Sequence, residues 1–104
     1  MVVIRMSDKV YTIDEIRAII RPVAERYGVE RVALFGSYAR GDANAESDAN
    51  FRIDSGAIRG YIKLAGFRRE LEEALQIPVD VLTTGALEPQ TLAKIQAEEV
   101  IVFE

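Results

Sequence analysis

The chain alternates segments of helical period with short apolar runs rich in β-branched residues, and this order limits the folds open to it. Helices are predicted where apolar residues recur three and four positions apart, at 13–27, 60–75 and 89–98. A capping box of Thr12 and Glu15 begins the first helix, and Gly28 ends it. Pro22 removes a backbone donor within it, so a kink or break is expected there.

The second helix, from Gly60 to Leu75, carries an apolar stripe that includes Tyr61 and is expected to face the core. Strands are predicted at four short apolar runs: 29–35, 49–53, 78–82 and 100–103. Because strands alternate with helices, the chain is predicted to form a layered α/β-type domain. The last strand is a candidate sheet edge, which could pair with another chain and form a homo-oligomer.

Length and composition exclude several kinds of function. The 104 residues are interpreted as one domain, 1–104, in which residues 1–10 form a loosely held extension. The absence of cysteine and histidine excludes thiol nucleophiles, disulfides and imidazole bases. The net charge of −4 and the scattered basic residues disfavour extended nucleic-acid binding. No signal peptide or apolar run of membrane-spanning length is found, so a cytoplasmic protein is expected.

A Gly-Ser pair follows the first predicted strand and is a candidate phosphate-binding turn. Gly36 lets the backbone approach an anion closely, and the hydroxyl of Ser37 adds a donor. Free N–H groups at the start of the following helical segment can also bind phosphate. Taken alone, such a pair is most often only a turn. Arg40 could reach the phosphates or could be an ordinary solvated side chain.

The second strand predicts a cation site, because its alternation places Asp48, Asn50 and Arg52 on one face. This polar face is expected to look into a cleft. Two hard oxygen ligands at positions 48 and 50 could face one divalent cation such as Mg²⁺. Asp80 is a third candidate, since a carboxylate inside an apolar strand is costly unless it is exposed or paired.

Other charged side chains near these motifs have simpler interpretations. Arg52 is expected to form a simple salt bridge, with pairing to Asp48 or Asp80 as the functional alternative. The remaining carboxylates are interpreted as solvating charges at loops and strand ends, although the last of them could come near the cleft: Asp42, Glu46 and Asp54.

In order along the chain, Phe-Gly-Ser at 35–37, Ser-Asp-Ala-Asn-Phe at 47–51 and Val-Asp-Val at 79–81 resemble the minimal nucleotidyltransferase family of the polymerase-β-type superfamily. The match covers nearly the whole chain. The resemblance implies an α+β, palm-like fold in which a mixed sheet of about four strands packs against helices. It also implies transfer of a nucleoside monophosphate from a Mg²⁺-bound triphosphate, with pyrophosphate leaving.

By the same resemblance, Gly36 and Ser37 hold the triphosphate, and Asp48 and Asp80 ligate Mg²⁺. Asp80 would also activate the attacking hydroxyl, while Asn50 occupies the position of the second metal carboxylate. The family implies ATP as the nucleotide and a partner protein as the acceptor. That partner would be a helical HEPN-type toxin, with this chain as the antitoxin.

Asn50 departs from the family pattern, which has aspartate at this position. An amide oxygen can bind a cation but adds no negative charge. At an effective dielectric of about 20, a unit charge about 4 Å from a divalent ion contributes up to roughly 8 kcal/mol before desolvation. A net loss of about 3 to 5 kcal/mol is expected, equivalent to roughly a hundredfold to several thousandfold in rate.

Several hypotheses therefore remain open. The chain could be a weak enzyme, a nucleotide-binding relative without catalysis, or an active parent that carries an Asp-to-Asn change. A binding protein that neutralises its partner by contact alone is the competing function. Transfer to a small molecule, as in aminoglycoside-modifying relatives of the superfamily, is a third hypothesis. It is disfavoured because those enzymes usually add a domain that closes over the acceptor.

Overall fold

The computed structural model describes residues 9–104, and its helices and strands follow the predicted order. The predicted N-terminal extension, 1–10, lies outside the described residues except for its last two. Of these, Lys9 contacts Glu15 with a nitrogen-to-oxygen distance of 2.5 Å. The elements are α1 Ile13–Tyr27, β1 Arg31–Phe35, α2 Ser37–Arg40, β2 Ala49–Asp54, α3 Gly60–Leu75, β3 Val79–Thr83, a 3₁₀ turn Thr84–Ala86, α4 Pro89–Glu98 and β4 Val100–Phe103.

Within residues 9–104, the strands form one four-stranded sheet in the order β3-β2-β1-β4. β1 is antiparallel to both β2 and β4, whereas β2 and β3 run parallel. The predicted mixed sheet and α+β class are therefore confirmed. β4 lies at one edge of the sheet, as expected, but its pairing with another chain stays a prediction. No helix in this part of the chain is long and apolar enough to cross a membrane.

The core lies on one face of the sheet. Ala49, Phe51 and Ile53 of β2 have no exposed surface, as their alternation in the sequence predicts. Apolar side chains of α1 and α3 cover this face, including Ile16, Ile20, Phe67, Leu71 and Leu75. Burying each such large side chain contributes about 1.5 to 3 kcal/mol to folding. The opposite face of β2 is thereby left for polar residues.

The start of β1 differs from the prediction because the end of α1 takes up one of the predicted strand residues. Gly28 adopts the left-handed conformation, with φ of +68°. Its N–H donates to the Glu25 carbonyl, and the N–H of Val29 donates to the Ala24 carbonyl. This is a Schellman motif, and it commits Val29 to the helix cap. The strand therefore begins at Arg31 and not at Val29.

A kink or a break was expected at Pro22, and the break is wrong, since α1 runs without interruption from Ile13 to Tyr27. The kink stays a prediction. Pro22 lacks the N–H that would reach the carbonyl of Ala18. Both residues are exposed, so water can satisfy that carbonyl. A proline on the outer face of a helix can thus be accommodated by solvent.

The bounds of α3 agree with the prediction, but its first turn does not face the core. Tyr61 is 88% exposed and Ile62 is 90% exposed. All four residues from 60 to 63 are exposed, which places this turn beyond the packed apolar layer. The burial of α3 begins at Leu64 and becomes complete at Phe67. The assignment of Tyr61 to the core stripe is therefore wrong.

Arg52 is buried, although the polar face of β2 was expected to look into a cleft. Its residue exposure is 3%. Its guanidinium donates two hydrogen bonds to the carboxylate of Glu99, at 2.8 and 2.7 Å. It also donates to Thr84 Oγ1 at 2.6 Å and to Asp54 Oδ1 at 3.3 Å. The pKa of Arg52 is raised above its usual value, mainly by the hydrogen bonding to Glu99.

This cluster decides two interpretations made from the sequence. The salt bridge predicted for Arg52 is present, but its partners are Glu99 and Asp54, not Asp48 or Asp80. Asp54 is not a solvating charge, because its side chain is only 23% exposed and also accepts a hydrogen bond from Arg31 at 3.1 Å. The polar face of β2 is therefore divided into an open part and a buried, charge-paired part.

We expect Glu99→Ala to lower the free energy of unfolding by about 3 kcal/mol, because it leaves the buried guanidinium of Arg52 without its main counter-charge. Glu88→Ala is the matched control at the other end of α4, where the side chain is exposed. Urea denaturation of both variants measures the difference. Equal stability of the two variants would show that the Arg52 pair does not support the fold.

Candidate functional site

The Gly-Ser turn joins β1 to a single helical turn, α2, and brings the backbone against β2. Gly36 adopts φ of +81°, in the left-handed region that favours glycine. A Cβ atom at this position would lie 2.6 Å from Nδ2 of Asn50. Tyr38 is 3% exposed and anchors α2 in the core. The two motifs that are 14 positions apart in the sequence are therefore in direct contact.

The strand register places the acidic candidates beside one another. Asn50 is the Cα partner of Asp80 in the parallel ladder of β2 and β3, and it is also the partner of Phe35 at the end of β1. Partners in a parallel ladder project from the same face, about 4.8 Å apart. Asp48 lies two residues before Asn50, just ahead of the strand, and the alternation of the sequence predicts that it shares this face. Asn50 and Asp80 are thus neighbours next to the Gly36 turn, and the place of Asp48 beside them stays a prediction.

Hydrogen bonds within the loop before β2 hold it in place, and Asp48, the last residue before the strand, is exposed. The hydroxyl of Ser47 accepts the N–H of Asn44 at 2.9 Å, and the Asn44 side chain accepts the N–H of Glu46 at 2.8 Å. The N–H of Ala49 then donates to the Pro78 carbonyl at 3.0 Å, which starts the pairing with β3. Short polar side chains that bond to nearby backbone are typical of such turns.

The carboxylates of Asp48 and Asp80 face solvent and are available to a ligand. Both residues are exposed, whereas Asn50 is half-buried. Neither Asp48 nor Asp80 has a side-chain hydrogen bond or an ion pair within residues 9–104. This agrees with the exposed strand face considered for Asp80.

The oxygen atoms of Asp48, Asn50 and Asp80 are of the type that binds Mg²⁺, but Asn50 lacks the negative charge of the aspartate in the family pattern. Mg²⁺ prefers oxygen ligands, and the group offers two carboxylates and one amide oxygen. Within the described part of the chain, no three His, Cys, Asp or Glu side chains are grouped so as to hold a metal ion. Asn50 is not one of these residue types, so the candidates include only two carboxylates. The residues therefore fit a weakly bound cation that also contacts substrate phosphates.

Glu98 is a site residue that sequence reasoning missed. Its Oε1 accepts the N–H of Gly36 at 3.1 Å, and its Oε2 accepts a hydrogen bond from Arg40 at 3.2 Å. Arg40 also pairs with Asp42, at 3.4 Å, but the Asp42 side chain is 64% exposed, which agrees with its interpretation as a solvating charge. No spacing in the sequence links residue 98 to residue 36. The only sign of its role in the sequence was the pair of consecutive glutamates, Glu98 and Glu99, at the end of α4.

The mixed sheet carries the Gly-Ser turn against Asn50, which lies beside Asp80. The model of the nucleotidyltransferase domain family matches residues 16–103. The chain therefore belongs to this family, and its class of activity is that of a transferase. The family resemblance found in the sequence is confirmed.

Two related proteins align with this chain over most of its length and over most of their own length. A candidate protein adenylyltransferase of Methanocaldococcus jannaschii is 37% identical over 91 residues, which are 88% of this chain and 98% of that protein. The protein adenylyltransferase MntA of Thermococcus cleftensis is 32% identical over 94 residues, which are 86% of this chain and 94% of that protein.

Solved structures agree on the fold. The structure of a candidate minimal nucleotidyltransferase aligns with a TM-score of 0.74 at 28% identity, covering 86% of this chain and 95% of the other. A complex of a tri-AMPylated HEPN toxin of Shewanella oneidensis with an MNT antitoxin aligns with a TM-score of 0.69, covering 88% and 72%. At 14% identity, the second likeness shows the fold alone.

We expect Gly36→Ala to weaken ATP binding about tenfold or more, because the added methyl group would displace Asn50 and restrict approach to the turn. Gly41→Ala is a control for positive φ, which is +85° there, and a Cβ at this position meets nothing within 4 Å. Gly41 is left-handed helical with ψ of 14°, whereas the ψ of −153° at Gly36 is almost confined to glycine, so Gly36→Ala also carries the larger backbone strain. Calorimetric titration with ATP compares them, and equal affinities would contradict a nucleotide site at the Gly36 turn.

Proposed function

We propose that the chain transfers AMP from ATP to a hydroxyl group of a partner protein and acts as the antitoxin of a HEPN-type toxin. The contact of Gly36 with Asn50, beside Asp80, is the observation that carries this proposal. It unites a phosphate-binding turn with cation ligands. Protein adenylyltransferases among the relatives, and an AMP-modified toxin in one structural neighbour, support the same acceptor class.

In this proposal the Gly36 turn binds the nucleotide, and the side chains beside it hold the cation. Backbone N–H groups at Gly36 and Ser37 bind the triphosphate, and Arg40 supplies a positive charge at the same turn. Asp48, Asn50 and Asp80 would hold Mg²⁺. When bound, Mg²⁺ neutralises charge on the phosphates and on the departing pyrophosphate.

The transfer itself is an in-line displacement at the α-phosphorus. The acceptor hydroxyl oxygen forms a bond to that phosphorus. At the same time the bond from the α-phosphorus to the oxygen that bridges the α- and β-phosphates breaks, and pyrophosphate leaves with that oxygen. Asp80 is exposed and has no partner among residues 9–104, so its carboxylate can accept the hydroxyl proton. The remaining residues position the reactants and do not form covalent bonds to them.

We expect Asn50→Asp to raise the transfer rate about a hundredfold or more, because it restores the third carboxylate around the cation. The matched control is Asn44→Asp, which makes the same charge change in the preceding loop. The assay follows label from α-labelled ATP into a HEPN-type toxin that the chain binds, in the presence of Mg²⁺. Absence of label with all three proteins would contradict the proposed transfer.

Asn50 also favours a second function, in which the chain neutralises its toxin by contact without catalysis. Contact inhibition should not depend on the metal ligands. The variant with both Asp48→Asn and Asp80→Asn would then protect against the toxin as well as the unchanged chain does. Loss of protection by this variant, with its stability unchanged in urea denaturation, would contradict contact inhibition and favour transfer.

A further inference from the structure

Two consecutive glutamates at the junction of α4 and β4 make different contacts. Glu99 lies on the buried guanidinium of Arg52, and its side chain is 10% exposed. Glu98 reaches instead toward the Gly36 turn, and its side chain is 33% exposed. Because Glu99 is held by two hydrogen bonds, the backbone that carries Glu98 is fixed relative to the sheet.

The carboxylate of Glu98 occupies donors that a triphosphate would use. Its two oxygens accept hydrogen bonds from the Gly36 N–H, at 3.1 Å, and from the Arg40 guanidinium, at 3.2 Å. The pKa of Arg40 is raised above its usual value, mainly by its hydrogen bond to Glu98. A carboxylate and a phosphate are both anionic acceptors, so one N–H group cannot serve both fully.

We propose that Glu98 is an intramolecular competitor of the nucleotide, which occupies the phosphate-binding turn in the free protein and is displaced when the triphosphate binds. This inference rests on the proposed function, since it takes the Gly36 turn as the phosphate site. The geometry requires movement of the Glu98 side chain only. The Arg52–Glu99 contact can stay in place and keep α4 attached to β2.

The contacts of Glu98 stabilise the turn of the free protein and lower the affinity of the site for nucleotide. Without nucleotide, Glu98 satisfies the Gly36 donor and pairs with Arg40, which stabilises the turn. With nucleotide, the displaced carboxylate remains near a polyanion, and the two like charges repel each other. Glu98 therefore reduces the affinity of the site for triphosphate, and the reduction should be largest at low salt.

The direct test is titration of ATP into the unchanged chain, Glu98→Gln and Glu88→Gln. Glu88→Gln makes the same charge change at the exposed start of α4. We expect Glu98→Gln to bind ATP about threefold to tenfold more tightly at low ionic strength, with a smaller gain at high salt. Glu88→Gln should bind as the unchanged chain does. Unchanged or weaker binding by Glu98→Gln would overturn the inference.

A second measurement separates failure of this inference from failure of the proposed function. The amide resonance of Gly36 in the nucleotide-free protein should shift in Glu98→Gln and stay in place in Glu88→Gln. If it does not shift in Glu98→Gln, the Glu98 contact is absent and the inference fails, whatever the chain transfers. If ATP competes with Glu98 but no label is transferred, only the proposed catalysis fails. Absence of ATP binding in every variant would overturn both.

Discussion

The buried pair of Arg52 and Glu99 is the interaction on which the polar side of the molecule depends. Arg52 belongs to a central strand, and Glu99 belongs to the last connection of the chain. Their two hydrogen bonds hold the end of α4 over the sheet, with Thr84 and Asp54 as additional partners of the guanidinium. Breaking such a pair by removing one member is far more costly than losing a surface ion pair.

β2 connects the core to the site. Its odd-numbered residues from 49 to 53 have no exposed surface and fix the register of the strand, since a shift by one residue would expose them. The same register sets Asn50 beside Asp80 and against the Gly36 turn. The hydrophobic pattern of β2 therefore sets the position of the polar residues on its opposite face.

Much of this arrangement follows from local patterns in the sequence. The capping box at Thr12, the bounds of α3 and the alternation of β2 were predictable because each depends on neighbouring residues. The alternation of β2 and the charge inside the third strand predicted the grouping of Asp48, Asn50 and Asp80, and the family resemblance implied the same set. The strand register places Asn50 beside Asp80 and beside the end of β1. Their roles as ligands stay predictions. The family and transferase class are confirmed by the comparisons.

The features that were missed depend on long-range packing. Arg52 is buried by contacts with distant segments, including Glu99 after α4 and Thr84 in the 3₁₀ turn, and the end of α4 also brings Glu98 to Gly36. Tyr61 is exposed because the first turn of α3 extends beyond the apolar layer, although its spacing resembles that of a core residue. Pro22 is tolerated because its side of α1 faces water. None of these facts can be read from spacing along the chain.

The central claim is that one site, formed by the Gly36 turn and the adjacent ends of β2 and β3, binds a metal–nucleotide complex. Paramagnetic broadening of backbone amide signals by Mn²⁺ with ATP tests it most directly, because Mn²⁺ can replace Mg²⁺ at oxygen ligands. The account predicts that signals of Gly36, Asp48 and Asp80 broaden first, while those of α1 remain sharp. Uniform broadening, or broadening centred away from these three residues, would contradict it.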